Sequence, residues 1–471
     1  MVAQAKTPFQ VIVVGIGQVR FRISGNRKIW PLIDKGIGGM AAALTLGLKG
    51  HHVMILESAP QLKEVGAGIQ VSPNMLRLFD REYFAADHGE WAVSTNSTQG
   101  WGVSPLIHSK DVALEHIHVR RWQDGSLLGT MPVNKTYGQQ VVIHRADLHN
   151  VLIDKVLALP NVKLRVNATV TGVQFYPASV TLANGTVVRG DVVIAADGIK
   201  STIRGHLLGE NSLSKAIPTG DAAYRIMLPR SVMENDPELR DLVNEPQATR
   251  WLGPERHIIA YPVRNHELFN VVLLHPDGHG VEESWTTKGS KQGMVDNYRG
   301  WDRKVQKLID LAADDEVLEW KLCLHSPLKT WIKGGVALIG DACHPMLPYV
   351  AQGAAQAVED AAALGVLLST ISSAREIPLA LQAYENSRKQ RAEKVQQSGS
   401  ANRITLHLPD GPEQQARDEQ FRLSMTSGSN PDRWTDRETQ AFLWGWDAEK
   451  AALEAWNEIH EGSSPEPRHH L

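Results

Sequence analysis

The feature that most constrains this chain is a glycine turn that has been pulled apart. Residues 13–46 read VVGIGQVRFRISGNRKIWPLIDKGIGGMAAALTL. The apolar strand VIVV ends at Gly15, and the helix-forming run MAAALTLGLKG follows Gly39. With residues 17–35 set aside, the join reads VIVVGIGIGGMAAALTL, and Gly15, Gly36 and Gly39 become the glycines of G-x-G-x-x-G. In a strand–turn–helix unit they make a tight turn, admit a pyrophosphate close to the backbone, and let the helix pack on the strand. A helix over 40–48 then aims free N–H groups at the phosphates. The next strand, HHVMILE, ends in Glu57, 18 positions after Gly39, where a carboxylate accepts hydrogen bonds from a ribose. This fingerprint by itself fits NAD and FAD equally.

The 19 residues from Gly17 to Lys35 need their own explanation. A whole number of codons keeps the reading frame; Gly17 as GGT and Lys35–Gly36 as AAAG supply the GT start and AG end of an intron. A retained intron is therefore the leading explanation, and a true surface loop the competing one. Loop entropy tolerates the insertion, because closure cost grows slowly with length. The turn tolerates it less easily, since Gly15 and Gly36 must stay close, and Ile29, Trp30 and Leu32 have no evident core to join. Weakened dinucleotide binding is the expectation for the chain as written.

Composition narrows the class. Hydrophobic residues make up 42%, charged residues 21%, and the net charge is -3, which fits a globular chain and argues against a nucleic-acid binder. No run approaches the roughly 18 apolar residues of a membrane span, and no hydrophobic leader precedes VIVV, so a cytoplasmic protein is expected. Cys323 and Cys343 are the only cysteines and read as buried thiols. The histidine pairs His51/His52, His116/His118 and His469/His470 lack a second cluster or an HExxH frame, so no metal site is expected.

Two distant segments decide the cofactor. DVVIAADGIKSTIR (191–204) is a buried strand followed by Asp197–Gly198, and in GGVALIGDACHPMLPYVAQGAAQAVEDAAALG (334–365) the strand VALIG delivers Asp341 before a helix that begins near Gln352–Gly353. With GAGIQVSPNMLRLF (66–79) and HRADLHNVL (144–152), they make the chain resemble the group A flavoprotein aromatic hydroxylases, especially their fungal salicylate hydroxylase-like and phenol hydroxylase branch. The resemblance runs from about residue 9 to residue 405. It implies an α/β fold: a Rossmann-like FAD-binding domain of the para-hydroxybenzoate hydroxylase type, a β-sheet substrate domain and a C-terminal helical segment. It also implies an FAD site with Glu57 on the adenosine ribose, Gly68 in the adjoining loop, Arg145 near the cofactor, Asp341 on the ribityl chain, and Gly353 and Ala354 beside the isoalloxazine. Asp197 and Gly198 are associated with FAD and with the reduced nicotinamide cofactor. The residues agree: a strand-end carboxylate suits ribityl hydroxyls, and a helix start near Gly353 puts its positive end where reduced flavin carries negative charge. No second complete G-x-G-x-x-G exists, which matches NADH or NADPH docking transiently as co-substrate.

The FAD-binding domain is expected in three stretches of sequence. The first covers 9–90, with 17–35 anomalous, and the second covers 136–210, the interval 91–135 supplying sheet strands. A substrate-binding sheet over 211–325 separates these from the third stretch, which covers 326–405 and includes a long helix, and a tail over 406–471 completes the chain. Segments such as HIIAYPVRN and LFNVVLLHP alternate with period two, as antiparallel strands do, and helices of the AALTLGLKG type are absent there. PLALQAYENSRKQRAEKVQQSGSANRITLHL reads as one long amphipathic helix. The tail carries Trp434, Trp444, Trp446 and Trp456. Halogenation is the alternative flavin chemistry that these aromatics raise, but WGWDAEK is not the WxWxIP signature, and packing of a terminal helix is the preferred reading.

The resemblance implies a monooxygenase that consumes NAD(P)H and O2 and hydroxylates a phenolic or other electron-rich aromatic ring through a C4a-hydroperoxyflavin, with decarboxylation or dearomatisation as companion outcomes. Such chemistry needs a group that favours phenolate and a pocket that excludes water. Arg225 in GDAAYRIMLP and Tyr261 in RHIIAYPVR are the candidates: a fixed charge on an apolar strand, and a hydroxyl among apolar neighbours. Similar fungal enzymes carry an Arg and a Tyr in matching motifs. The competing readings are a sheet salt bridge for Arg225 and a core tyrosine for Tyr261; Tyr224 and His257 are weaker candidates. A flavin-binding protein whose turnover is impaired by the insert is the remaining alternative.

Overall fold

The computed structural model describes residues 4–15, 36–60, 67–79, 100–209, 216–278, 287–427 and 430–462. The expectations for residues 17–35 lie outside the described residues.

Strands with near-continuous apolar sequence form the centre of a six-stranded sheet in the order Ile332–Lys333, Val336–Leu338, Val192–Ala195, Gln10–Val14, His52–Leu56, Val162–Arg165. All neighbours are parallel except the edge pair Ile332–Lys333 with Val336–Leu338. Strands buried on both faces need apolar side chains on both, which is why Val192–Ala195 shows no alternation. The helix after the glycine turn spans Ile37–Leu48, starting three residues earlier than expected, and is buried along nearly its whole length. It packs on the helix Gly353–Thr370 through small residues: a Cβ on Gly38 would lie 3.0 Å from Ala357 Cβ, and one on Gly365 would lie 2.6 Å from Thr45 Oγ1. Glycine and alanine let the two helices approach until their first turns share one groove.

The second layer is an eight-stranded sheet in the order Thr287–Lys288, Leu318–Leu324, Ile217–Pro229, Leu268–Pro276, Arg256–Val263, Gln247–Gly253, His116–Arg121, Leu127–Pro132. It is antiparallel throughout except where His116–Arg121 runs parallel to Gln247–Gly253. The segment around VALEHIHVRRW therefore joins this layer, as its pattern suggests. Beside its strands the interval 211–325 holds short helices, among them Arg240–Asn244, Lys291–Asn297 and Arg303–Leu311. Apart from the exposed Leu311, Arg303–Leu311 is polar outside a single stripe of Val305, Leu308 and Ile309, so it covers the outer sheet face without the run of small residues seen in Ile37–Leu48 and Gly353–Thr370.

The long C-terminal helix runs Ile377–Leu406, followed by Pro412–Ser427, Arg437–Trp444 and Ala448–Gly462. Trp434 and Trp444 are fully buried, and Trp446 lies over Arg391 at 4.2 Å, which supports the packing reading of the tail. Among the described residues no helix is long and apolar enough to cross a membrane.

Candidate active site

Three parallel strands of the first sheet end side by side, and their carboxyl ends deliver Gly15, Asp197 and Asp341 to one crevice, where open α/β sheets place ligands. Gly15 has φ +84°, and a Cβ there would lie 2.7 Å from Asp197 Cα, so the turn requires glycine for both conformation and space. The crevice widens into a cavity of about 610 Å³ between the two sheets. Gly36, Gly39, Gly198, Gly353 and Ala354 line it with these three, as do Gly68, Arg145, Arg225 and Tyr261 from the opposite side. Glu57 stands apart. Its neighbours Leu56 and Ser58 reach the cavity, whereas its own side chain is fully buried and its Oε1 accepts from the Ala59 N–H at 2.8 Å and the Ser58 hydroxyl at 3.1 Å.

The donor set suits a dinucleotide. The helices Ile37–Leu48 and Gly353–Thr370 both begin on the cavity, with no side-chain cap and no acidic residue in the first turn. Their N–H groups and positive dipole ends are left for an anionic or carbonyl-bearing ligand. Asp341 is exposed into the cavity, yet burial within the protein pushes its carboxyl up, opposed by His344, Arg145 and Arg204. The Asp197 carboxyl is likewise raised by burial, and it is spent locally, accepting from Ser201 Oγ at 2.6 Å and from the Ile203 N–H at 3.2 Å. Asp197 thus shapes the turn that presents Gly198.

Across the cavity two guanidiniums lie within electrostatic range of each other. Burial first, and then the charge of Arg225, lowers Arg145 to about 10, with Asp341 opposing both. Burial also lowers Arg225 to about 10, and Tyr261 opposes that shift, while burial pushes the Tyr261 hydroxyl up to about 12. Arg225 lies over the Trp320 ring at 4.4 Å, and its Nε is buried without a hydrogen-bond partner. Among the described residues no salt bridge within the sheet holds it. Tyr224 projects to the other face by strand alternation, stacked on His275 at 4.3 Å, and so is removed from the candidates. Cys343 is buried, but Cys323 is only half-buried and forms part of the cavity wall, contrary to the reading of both as buried thiols.

Sequence reasoning missed the supports behind this surface. Arg204, fully buried, donates to the carbonyls of Ala342 at 3.0 Å and Ile199 at 2.6 Å, tying the Asp197 turn to the Asp341 turn. Asp360 accepts from the Gly340 N–H at 3.0 Å, from His344 Nε2 at 2.6 Å and from Arg388 Nε at 2.9 Å. Burial pushes the Asp360 carboxyl up, but His344 and Arg388 outweigh it and hold it at about 2; Arg391 and Arg388 do the same for Glu359. Cys343, His344 and Asp360 cluster closely enough to suggest a cation site, but the Asp360 oxygens are taken by the bonds above and Arg388 supplies the positive charge. The only sequence signal for this network is the density of charge in ENSRKQR within a helix that must be buried on one side.

Comparison with known proteins agrees with this geometry. The model of the FAD binding domain family matches residues 33–398, starting near the end of the anomalous segment. The FAD-dependent monooxygenase atnJ of Arthrinium sp is 41% identical over 88% of this chain and 93% of its own. The 6-hydroxynicotinate 3-monooxygenase of Pseudomonas fluorescens is 32% identical over 79% of this chain and 90% of its own. A salicylate hydroxylase substrate complex shares the fold, with a TM-score of 0.72 at 24% identity over 96% of this chain and 98% of that one.

Proposed function

Because the chain belongs to the FAD-binding-domain family, among its FAD-dependent monooxygenases, we propose that it uses NADH or NADPH and dioxygen to hydroxylate a phenolic or other electron-rich aromatic ring. The observation that carries this reading is the pairing of Arg225, without an ion-pair partner among the described residues, with Tyr261 on the wall facing the cofactor helix. A desolvated cation without a counter-ion favours an anionic occupant, and deprotonating a phenol enriches its ortho and para carbons. The 6-hydroxynicotinate enzyme, by its name, acts on a hydroxylated heteroaromatic ring.

FAD, when bound, supplies the two-electron chemistry that activates dioxygen. Gly15, Gly36 and Gly39 would leave space for its pyrophosphate, Asp341 would accept from its ribityl hydroxyls, and the first turn at Gly353 and Ala354 would face its ring. Arg225 remains charged at neutral pH and stabilises phenolate without titrating, whereas Tyr261 stays protonated and contributes one directed hydrogen bond. Trp320, Ile259, Val272 and Leu274 exclude water around the ring.

The test is a screen of phenolic acids and polyketide phenols with purified holoprotein, following NAD(P)H oxidation, hydrogen peroxide and product mass together. Arg225→Ala should keep FAD and divert NAD(P)H oxidation to peroxide, and Tyr261→Phe should retain more product at lower yield per NAD(P)H. Wild-type coupling in Arg225→Ala returns that residue to a structural role. If no phenol stimulates NAD(P)H oxidation, the hydroxylase assignment fails.

A further inference from the structure

The cavity wall has a second polar point. On the inward face of the eight-stranded sheet, Ala223, Leu274 and His257 align across three neighbouring strands, and Arg225, Val272 and Ile259 align in the adjacent row. Arg225 and His257 are two strands and one row apart, which places their Cα atoms about 12 Å from each other. Val272, Ile259 and Leu274 fill the surface between them, and all five line the cavity.

His257 is held from behind. Its Nδ1 lies 2.8 Å from His407 Nε2, and the two rings pack against Tyr349, with centroids at 5.5 and 5.6 Å. Nε2 of His257 makes no hydrogen bond among the described residues and is the ring nitrogen left to the cavity. His407 Nδ1 is buried without a partner. Burial lowers both histidines well below their ordinary range, so the pair is neutral at physiological pH. A neutral pair has two arrangements: when His407 Nε2 donates, His257 Nε2 carries the hydrogen and is a donor; when His257 Nδ1 donates, Nε2 is an acceptor. The neighbouring Arg250 cannot serve the same purpose as a free charge, because it is paired with Asp432 and lies over Trp434 at 4.9 Å.

We propose that His257 anchors a second oxygen substituent of the substrate through Nε2, so that the cavity selects two-ring phenols with oxygens at both ends over single-ring phenols. The ring to be oxidised lies at Arg225 and Tyr261, so the inference rests on the aromatic hydroxylase reading. The Cα atoms of the two anchors are about 12 Å apart and both side chains rise from the same sheet face, so hydrogen bonds of roughly 3 Å reaching inward leave the two substrate oxygens about 6 Å or more apart, farther than the para oxygens of one ring and within reach of a naphthalene-sized frame. His407 is a positioning residue that fixes the imidazole and lets the anchor switch between donor and acceptor.

The experiment compares 2,7-dihydroxynaphthalene with 2-naphthol, titrated into the oxidised holoprotein without NAD(P)H and followed by the flavin absorbance change. The diol should bind about tenfold more tightly, the upper range for one added neutral hydrogen bond. His257→Phe should bring that ratio to about one while leaving 2-naphthol affinity in place. His407→Phe should reduce the ratio and His407→Gln should restore some of it, a pattern that a general packing defect would not give. Equal affinities in the wild type, no binding of either compound, or a ratio that survives His257→Phe each overturns the inference, and the wild-type comparison decides it even if a variant fails to fold. The underlying reading is judged apart, by product from salicylate and other single-ring phenols. Turnover of those with a ratio of one removes the anchor alone, whereas a tenfold ratio without turnover of any phenol removes the hydroxylase reading alone.

Discussion

Replacing Gly68 with alanine should disturb catalysis through a crowd of named atoms. A Cβ at this position would lie 2.6 Å from Asn270 Cγ, 2.7 Å from Tyr261 Cε2 and 2.8 Å from Asn270 Cβ. Ordinary contact begins near 3.4 Å, so Tyr261 and Asn270 must each retreat by roughly 0.7 Å or the strand Gly68–Val71 must lift from the sheet. The hydrogen bond from the Gly68 N–H to Asn270 Oδ1, 2.8 Å long, is strained either way. The backbone of Gly68 is not left-handed, so the effect comes from the methyl group rather than from torsional strain. Overpacking of this kind costs about 1–3 kcal/mol of stability. A reacting geometry displaced by nearly 1 Å costs up to about 100-fold in rate. Gly68→Ala is therefore expected to fold with a lowered melting temperature and to lose coupling, measured as hydroxylated product per NAD(P)H against peroxide. Adding Asn270→Ala should not rescue it, because Tyr261 and the Cβ of residue 270 remain in the way. Wild-type coupling and stability in Gly68→Ala would refute the argument that this glycine spaces Tyr261 from the cofactor side.

Asp341→Ala should lower FAD affinity by one to two decades, since a charge-assisted hydrogen bond contributes about 1.5–3 kcal/mol; unchanged affinity by flavin fluorescence titration would remove Asp341 from the ribityl site. Deleting residues 17–35 restores an uninterrupted glycine turn and should raise FAD occupancy after identical purification; equal stoichiometric FAD in both proteins would favour a true loop. Burial, with smaller charge effects, holds His51, His275 and His407 at about 4, below the unfolded value of 6.5. Between pH 6.5 and 4 the unfolded chain binds more protons, so stability present at neutral pH is lost on acidification, by roughly 1.4 kcal/mol per pH unit for each histidine. Urea unfolding at pH 7 and pH 5 should show it, and a flat profile would contradict the neutral burial of these rings.

The centre of the first sheet was legible because three of its strands are each an apolar run followed at once by a chemically distinct turn: Gly15, Asp197–Gly198 and Gly340–Asp341. Local sequence reports local geometry well in such places. Arg225 and Tyr261 were legible for a related reason, a polar residue interrupting an apolar strand on its inward phase, and that same phase excludes Tyr224. The supports were not legible, because their partners are remote. Nothing near Arg204 announces the carbonyl of Ala342, and nothing near Asp360 announces Arg388. His257 was visible as a polar interruption, but its partner His407 lies 150 positions away at the end of a helix, and only the fold joins them. Glu57 shows the converse. Its position after the second strand follows the fingerprint, yet its Oε1 bonds to its own turn, a choice of rotamer that spacing does not encode.

The strands that end at Gly15, Asp197 and Asp341 are neighbours in space but are drawn from the beginning, the middle and the last third of the chain. The carboxylate beneath the last of these turns, Asp360, takes its counter-ion from Arg388, and Glu359 shares Arg391 with the main-chain carbonyls of Phe442 and Leu443. During synthesis the early strand therefore waits for most of the polypeptide before its sheet can close, whereas the acidic pair on the helix Gly353–Thr370 meets its cations only 28 to 32 positions further along the chain. Sheets closed by such distant segments form slowly. Because the residues that line the crevice extend to Ala357, a nascent chain lacks part of its cofactor site until about three quarters of it has been made.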